Sequence, residues 1–140
     1  MSAATVLDEL LKLLTGGAEP EHIASLFTDP VDLYAPGSPE LPWIGRRSTR
    51  SEVVEFFRLL AENETMEDFR LDKTYADEGS AAAVGEFTCT FHQSGKRLNT
   101  LFCLQVFVVD DKITRYVFLE NSLAAVAAFT GADMVPGEVV

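Results

Sequence analysis

Apolar residues in the first third of the chain recur at helical spacing: Val6, Leu7, Leu10, Leu11, Leu13 and Leu14, ending at Gly16-Gly17. Pro20 suits the first turn of a second, short helix carrying Ile23, Leu26 and Phe27. The pattern then switches to alternation over Val31-Asp32-Leu33-Tyr34-Ala35, a short strand closed by Pro36-Gly37. Prolines and glycines between Pro36 and Gly45 predict a stiff, irregular loop that contains Trp43. Thr49 and Glu52 form a capping box that opens a third helix through Val53, Val54, Phe56, Phe57, Leu59 and Leu60. Strands are expected at about 66–76, 81–92, 97–109 and 112–120, followed by a last helix from Ser122 to Phe129 and a loose tail over 131–140.

The turns between the late strands fix which side chains share a face. Gln93-Ser94-Gly95 reads as a three-residue hairpin loop with Gly95 left-handed, and Asp110-Asp111 as a two-residue turn. Counting outward puts residue 91 opposite 97, 87 opposite 101, 105 opposite 116 and 103 opposite 118. One face would then hold Phe87, Cys89, Phe91, Asn99, Leu101, Cys103, Gln105, Phe107, Tyr116, Phe118 and Glu120. An aromatic wall with a few isolated polar groups is the composition of a small-molecule pocket, and equally of an ordinary core. The other face would carry Phe102, Leu104, Val106, Val117 and Leu119. With the helices covering the aromatic face, that apolar patch has no partner within the chain, so a homodimer packed sheet to sheet is expected.

Helices first and an antiparallel sheet afterwards make an α+β fold, and 140 residues without repeats or linkers read as a single domain, 1–140 with its core at about 3–129. A formal charge of −11 argues against nucleic acid, whose phosphates need clustered Lys and Arg. The only basic cluster, Arg46, Arg47 and Arg50, could greet an anionic ligand at a pocket mouth or stay solvated on a loop. No stretch approaches the roughly 18 uncharged residues of a membrane span, and the charged, amphipathic start is no secretory signal. Cys89 and Cys103 are both strand-interior and not opposed, which reads as reduced thiols and a cytoplasmic protein. His22 and His92 have no metal-ligand spacing, and no phosphate loop, dinucleotide fingerprint or serine elbow is present, so neither metal nor cofactor is expected.

Leu26-Phe27-Thr28-Asp29, Trp43-Ile44-Gly45-Arg46 leading to Val53-Val54-Glu55-Phe56-Phe57, and Asp111-Lys112-Ile113-Thr114-Arg115-Tyr116 resemble the nuclear-transport-factor-2-like superfamily, with a SnoaL-like flavour, over about residues 3–129. The resemblance implies a cone in which helices close one side of a strongly curved, mainly antiparallel sheet around an apolar cavity, with dimers across the outer face. The superfamily includes steroid isomerase, limonene epoxide hydrolase and polyketide cyclases, and fold alone selects no reaction among them. The places of the steroid isomerase machinery read Leu11, Gln105 and Tyr34, and those of the epoxide hydrolase read Phe87, Cys89 and Phe118. Neither catalytic set is present.

Other polar residues are then the candidates. Asp32 shares a face with Tyr34. If that face is the cavity, desolvation would make Asp32 a general base, with Tyr34 beside it. Glu120 falls on the aromatic face just before the last helix, where it would act on a ligand or simply cap the helix entry. Ligand contacts are expected from Trp43, Phe87, Cys89, Phe91, Cys103, Gln105, Phe107, Tyr116 and Phe118. The reading is a small-molecule-binding cone for an apolar cyclic metabolite, with cofactor-free isomerase, cyclase or hydratase chemistry by acid and base. A non-catalytic binding domain and a scaffold turned to a foreign reaction stay open beside it.

Overall fold

The computed structural model describes residues 2–131; the expected tail, apart from Gly131, lies outside the described residues. The elements in order are α1 (Ala3–Thr15), α2 (Pro20–Ala24), β1 (Phe27–Ala35), β2 (Gly45–Arg47), α3 (Arg50–Asn63), β3 (Glu64–Ala76), β4 (Ser80–Phe91), β5 (Arg97–Val109), β6 (Lys112–Glu120) and α4 (Ser122–Thr130). They form one mixed, open sheet of order β2-β1-β6-β5-β4-β3, antiparallel except where β1 runs parallel to β6. The short β2, formed by residues expected to lie in the loop before the third helix, pairs with the end of β1.

Local chemistry starts each helix. The Ser2 hydroxyl accepts from the Thr5 amide to open α1, and Thr49 and Glu52 complete the capping box of α3. Helix α1 buries Val6, Leu7, Leu10 and Leu11 against the sheet, and α3 buries Val53, Phe56 and Phe57. Helix α4 plugs the end near the β4–β5 hairpin: Ser94 and Gln93 donate to its last carbonyls, and Phe129 meets Trp43 edge-on at 5.5 Å.

The hairpin register differs from the expected one at two places. At the β4–β5 turn, the Phe91 amide donates to the Lys96 carbonyl, so the loop holds four residues, His92 to Gly95, with Gly95 left-handed at φ 70°. His92 is drawn out of the ladder because its ring bonds the Glu62 carbonyl and the Thr65 hydroxyl, and its amide bonds the Asn63 carbonyl. Phe87 therefore opposes Thr100 and Cys89 opposes Leu98. The Asp110-Asp111 turn is as expected, both residues having positive φ, but a bulge at Thr114 then moves Gln105 opposite Val117.

A one-residue slip turns every side chain of a strand over. The two slips cancel for β6 and leave β5 alone inverted. Asn99, Leu101, Cys103, Gln105 and Phe107 lie on the outer face, while Leu98, Thr100, Phe102, Leu104 and Val106 are buried against the helices. The expected dimer patch is corrected accordingly: Phe102, Leu104 and Val106 belong to the core, and only Val117 and Leu119 remain outside.

The long outer strand β3 carries thirteen residues against the eleven it pairs on β4, with register shifts after Met66 and Leu71. Gly85 sits beside that irregular stretch. A Cβ there would come within 2.1 Å of the Arg70 carbonyl oxygen and 2.9 Å of the Phe102 ring, so glycine permits the close approach.

Candidate active site

Between the helices and the inner sheet face lies a cavity of about 530 Å³. Its depth is aromatic, formed by Phe56, Phe57, Phe87, Phe102, Tyr116 and Phe118. Phe102 and Phe118 stack at 6.3 Å and 19°, and Phe102 also meets Phe69 at 5.4 Å. Exposed residues Gly17, Met66 and Glu67 mark the mouth, between the α1–α2 turn and the start of β3.

Two half-buried carboxyl groups from different elements line this apolar space, while Glu67 and Asp68 lie exposed at its rim. Glu120 is the last residue of β6, directly before the Asn121 cap of α4, on the same face as Tyr116 and Phe118. Glu64 is the first residue of β3, where α3 gives way to the sheet, and stands opposite the buried Phe91. Burial lifts the pKa of Glu120 to about 7. Burial, and then the charge of Glu120, lift Glu64 to about 8, with the Cys89 thiol hydrogen bond at 3.8 Å pulling the other way. The Tyr116 hydroxyl is pushed above its ordinary range by burial and by Glu120, so it stays protonated and available as a donor. Near neutral pH the cavity thus holds a protonated acid, a partly ionised carboxylate and a phenol.

A SnoaL-like domain profile matches residues 8–116. The chain belongs to that family. Solved structures agree in fold. A nuclear-transport-factor-2-like protein of unknown function from Burkholderia pseudomallei superposes with a TM-score of 0.82 at 14% identity, covering 93% of this chain and 99% of that one. A candidate isomerase from Bacillus subtilis gives 0.79 at 15% identity over 95% and 96% of the two chains. A candidate SnoaL-like polyketide cyclase from Mesorhizobium loti gives 0.68 at 18%, over 85% and 99%. A comparison with curated proteins finds no significant match. Identities this low carry the fold and not an activity.

Within this SnoaL-like cone, the residues expected from sequence to make the site separate into three groups. Trp43, Phe87, Tyr116, Phe118 and Glu120 line the cavity. Cys89 and Phe91 are on the same face but fully buried behind the lining, Phe91 stacked on Trp43 at 5.7 Å. Cys103, Gln105 and Phe107 are on the outer face because β5 is inverted.

Asp32 and Tyr34 also face outward. Leu33 and its neighbours Val31 and Ala35 take the buried parity of β1, leaving Asp32 exposed between Arg46 and Arg115, each at 3.5 Å. Tyr34 lies under the Arg46 guanidinium at 3.9 Å. Neither reaches the cavity, so Asp32 is withdrawn as the base. None of the three clustered arginines lines the cavity: Arg47 lies over the Phe56 ring with its Nε buried and without a hydrogen-bond partner, and Arg50 donates to the Phe27 carbonyl at 3.0 Å.

Glu64 is the residue that sequence reasoning missed. It falls in the polar run Glu62-Asn63-Glu64-Thr65 between a helix and a strand, which looks like a solvated connection. Counting back from the β3–β4 turn without the two extra residues of β3 puts Met66 opposite Phe91 and leaves Glu64 past the end of the ladder.

Proposed function

We propose that this protein is a cofactor-free acid/base enzyme acting on an apolar cyclic small molecule, with isomerisation, cyclisation or dehydration as the reaction class. The observation that carries the reading is the pair Glu64 and Glu120, both turned into an aromatic cavity and both holding protons more tightly than an ordinary carboxyl. Two carboxyls that differ in proton affinity divide the work: Glu120 takes a proton from carbon, while protonated Glu64 and the Tyr116 hydroxyl donate to the developing oxyanion. Candidate names among structural neighbours, an isomerase and a polyketide cyclase, are compatible with that class.

The test is proton exchange in heavy water. A panel of neutral cyclic ketones is followed by NMR for loss of α-protons, which reports proton abstraction whatever the final product. The protein should accelerate exchange for at least one ketone, and Glu120→Gln should cut the rate by roughly 10²–10⁴-fold. Binding of ketones without any exchange would make the cone a carrier instead of an enzyme.

The same proposal includes a homodimer through the outer face. Its apolar surface, corrected for the inverted strand, is Leu101, Cys103, Phe107 and Leu119, with Leu101 68% exposed. It also retains the cytoplasmic placement, supported by free cysteines on opposite faces of the sheet. Among the described residues no helix is long and apolar enough to cross a membrane.

A further inference from the structure

The ionisable groups that line the cavity are all acids: Glu64, Glu67, Asp68, Glu120 and the phenol of Tyr116, with no Lys, Arg or His among the described lining residues. None of the nearby bases pairs with Glu64 or Glu120: Arg47 lies over the Phe56 ring without being a lining residue, and the others have partners of their own. Arg97 pairs with Glu67 at 2.8 Å, Arg46 with Asp32, and Arg50 with a backbone carbonyl. Glu64, by contrast, has only the Cys89 thiol as a hydrogen-bond partner, and no basic side chain pairs with Glu64 or Glu120 among the described residues. Half-buried carboxyls in an apolar cavity ionise at a cost when no counterion is present, and a positive charge placed between them relieves it.

We propose that the cavity receives a cationic ligand: an apolar ring compound bearing a basic nitrogen, its ammonium form seated between Glu64 and Glu120. This rests on the reading of the cavity as the active site and narrows its substrate class. A space of about 530 Å³ suits an organic molecule far better than a bare ion. No group of three or more His, Cys, Asp and Glu side chains among the described residues is arranged to hold a metal. The aromatic walls accept the ring and stabilise an adjacent cation through their faces. An anionic ligand would meet the Glu120 carboxylate with nothing to neutralise it, and the net charge of −11 would slow its approach while steering cations inward.

Trp43 is the chain's single tryptophan and lines the cavity, so its fluorescence reports occupancy. Three probes of one skeleton, adamantan-1-amine, adamantan-1-ol and adamantane-1-carboxylate, are titrated at pH 7.5. The amine should bind at least about tenfold more tightly than the alcohol, and the carboxylate more weakly than both. In Glu64→Gln/Glu120→Gln the amine and alcohol should bind alike. If that double variant fails to fold by thermal unfolding, Glu64→Gln alone must remove most of the amine preference. Equal binding of amine and alcohol to the native protein overturns the cation assignment and leaves the acid/base reading standing, since ketone exchange is measured separately. A preference that survives loss of the carboxylates, or a carboxylate that binds tightest, also overturns it. If none of the three binds, the assignment fails, whereas the acid/base reading fails only if ketone exchange is also absent.

Discussion

Glu64 opens β3 and Glu120 closes β6, with two strands between them in the sheet, yet the charge of Glu120 is felt at Glu64 because the curled sheet turns both carboxyls into one apolar space. Neither carboxyl has a basic partner, so the folded state holds protons there that the unfolded chain releases.

Stability should therefore fall as pH rises. Both pKa values are raised on folding, so the native state binds more protons than the unfolded state between about 4.5 and about 8, and the slope of unfolding free energy with pH is negative there. The contribution is complete below the ordinary glutamate range and lost once both groups ionise. Glu52, Asp72 and Asp77, held below their ordinary values by hydrogen bonds, act in the opposite direction only at more acid pH. Thermal unfolding from pH 5 to 9 should show a decline on the order of a few kcal/mol. Glu64→Gln and Glu120→Gln should each flatten it, and a native profile that is flat or rising would refute the burial of these charges.

Turnover should follow a narrow bell. The base must be ionised, above about 7, and the acid protonated, below about 8, giving a maximum between them. Glu120→Gln should abolish the rising limb along with most of the rate, while Glu64→Gln should remove the falling limb. A rate that climbs steadily to pH 10 would assign the base to another group.

The inverted strand makes a paired mutational test. Phe102 is 6% exposed and packs on Phe69, Phe87 and Phe118, so Phe102→Ala should cost about 3–5 kcal/mol in denaturant unfolding. Gln105, one strand parity away on the outer face, should tolerate Gln105→Leu within about 0.5 kcal/mol. Equal sensitivity at both positions would mean that the outer face is packed as tightly as the core.

Light scattering should report twice the chain mass, with a buried area on the order of 1,600 Å². Leu101→Asp combined with Leu119→Asp should give a folded monomer, because both side chains are exposed and outside the core cluster. A native protein that is already monomeric would leave the outer patch without that role.

Periodicity revealed α1 and α3 because each buries one stripe and begins at a side-chain cap, Thr49 with Glu52 above all. Glycine and paired aspartates located the turns. Register was harder to read, since it depends on single residues that step out of a ladder. His92 leaves β4 to bond the end of α3, and Thr114 bulges from β6; neither act has a local signature. Because the two displacements offset each other, counting puts Phe87, Tyr116, Phe118 and Glu120 on the cavity face, whereas Gln105, on the strand between the two slips, lies on the face opposite to the expected one. Asp32 followed the alternation correctly, but alternation does not say which parity is inside; the buried Leu33 decides that.

The sheet leaves two edges open, and each is blunted differently. Strand β2 is three residues long. Strand β3 is long and exposed, but two bulges and the side chains of Glu67, Asp68, Arg70, Asp72 and Lys73 interrupt the row of backbone groups that another chain would need as a template. The irregularities that bend β3 beside the cavity mouth thereby also keep the molecule from polymerising edge to edge, so an open ligand entrance sits next to an unpaired strand without inviting aggregation.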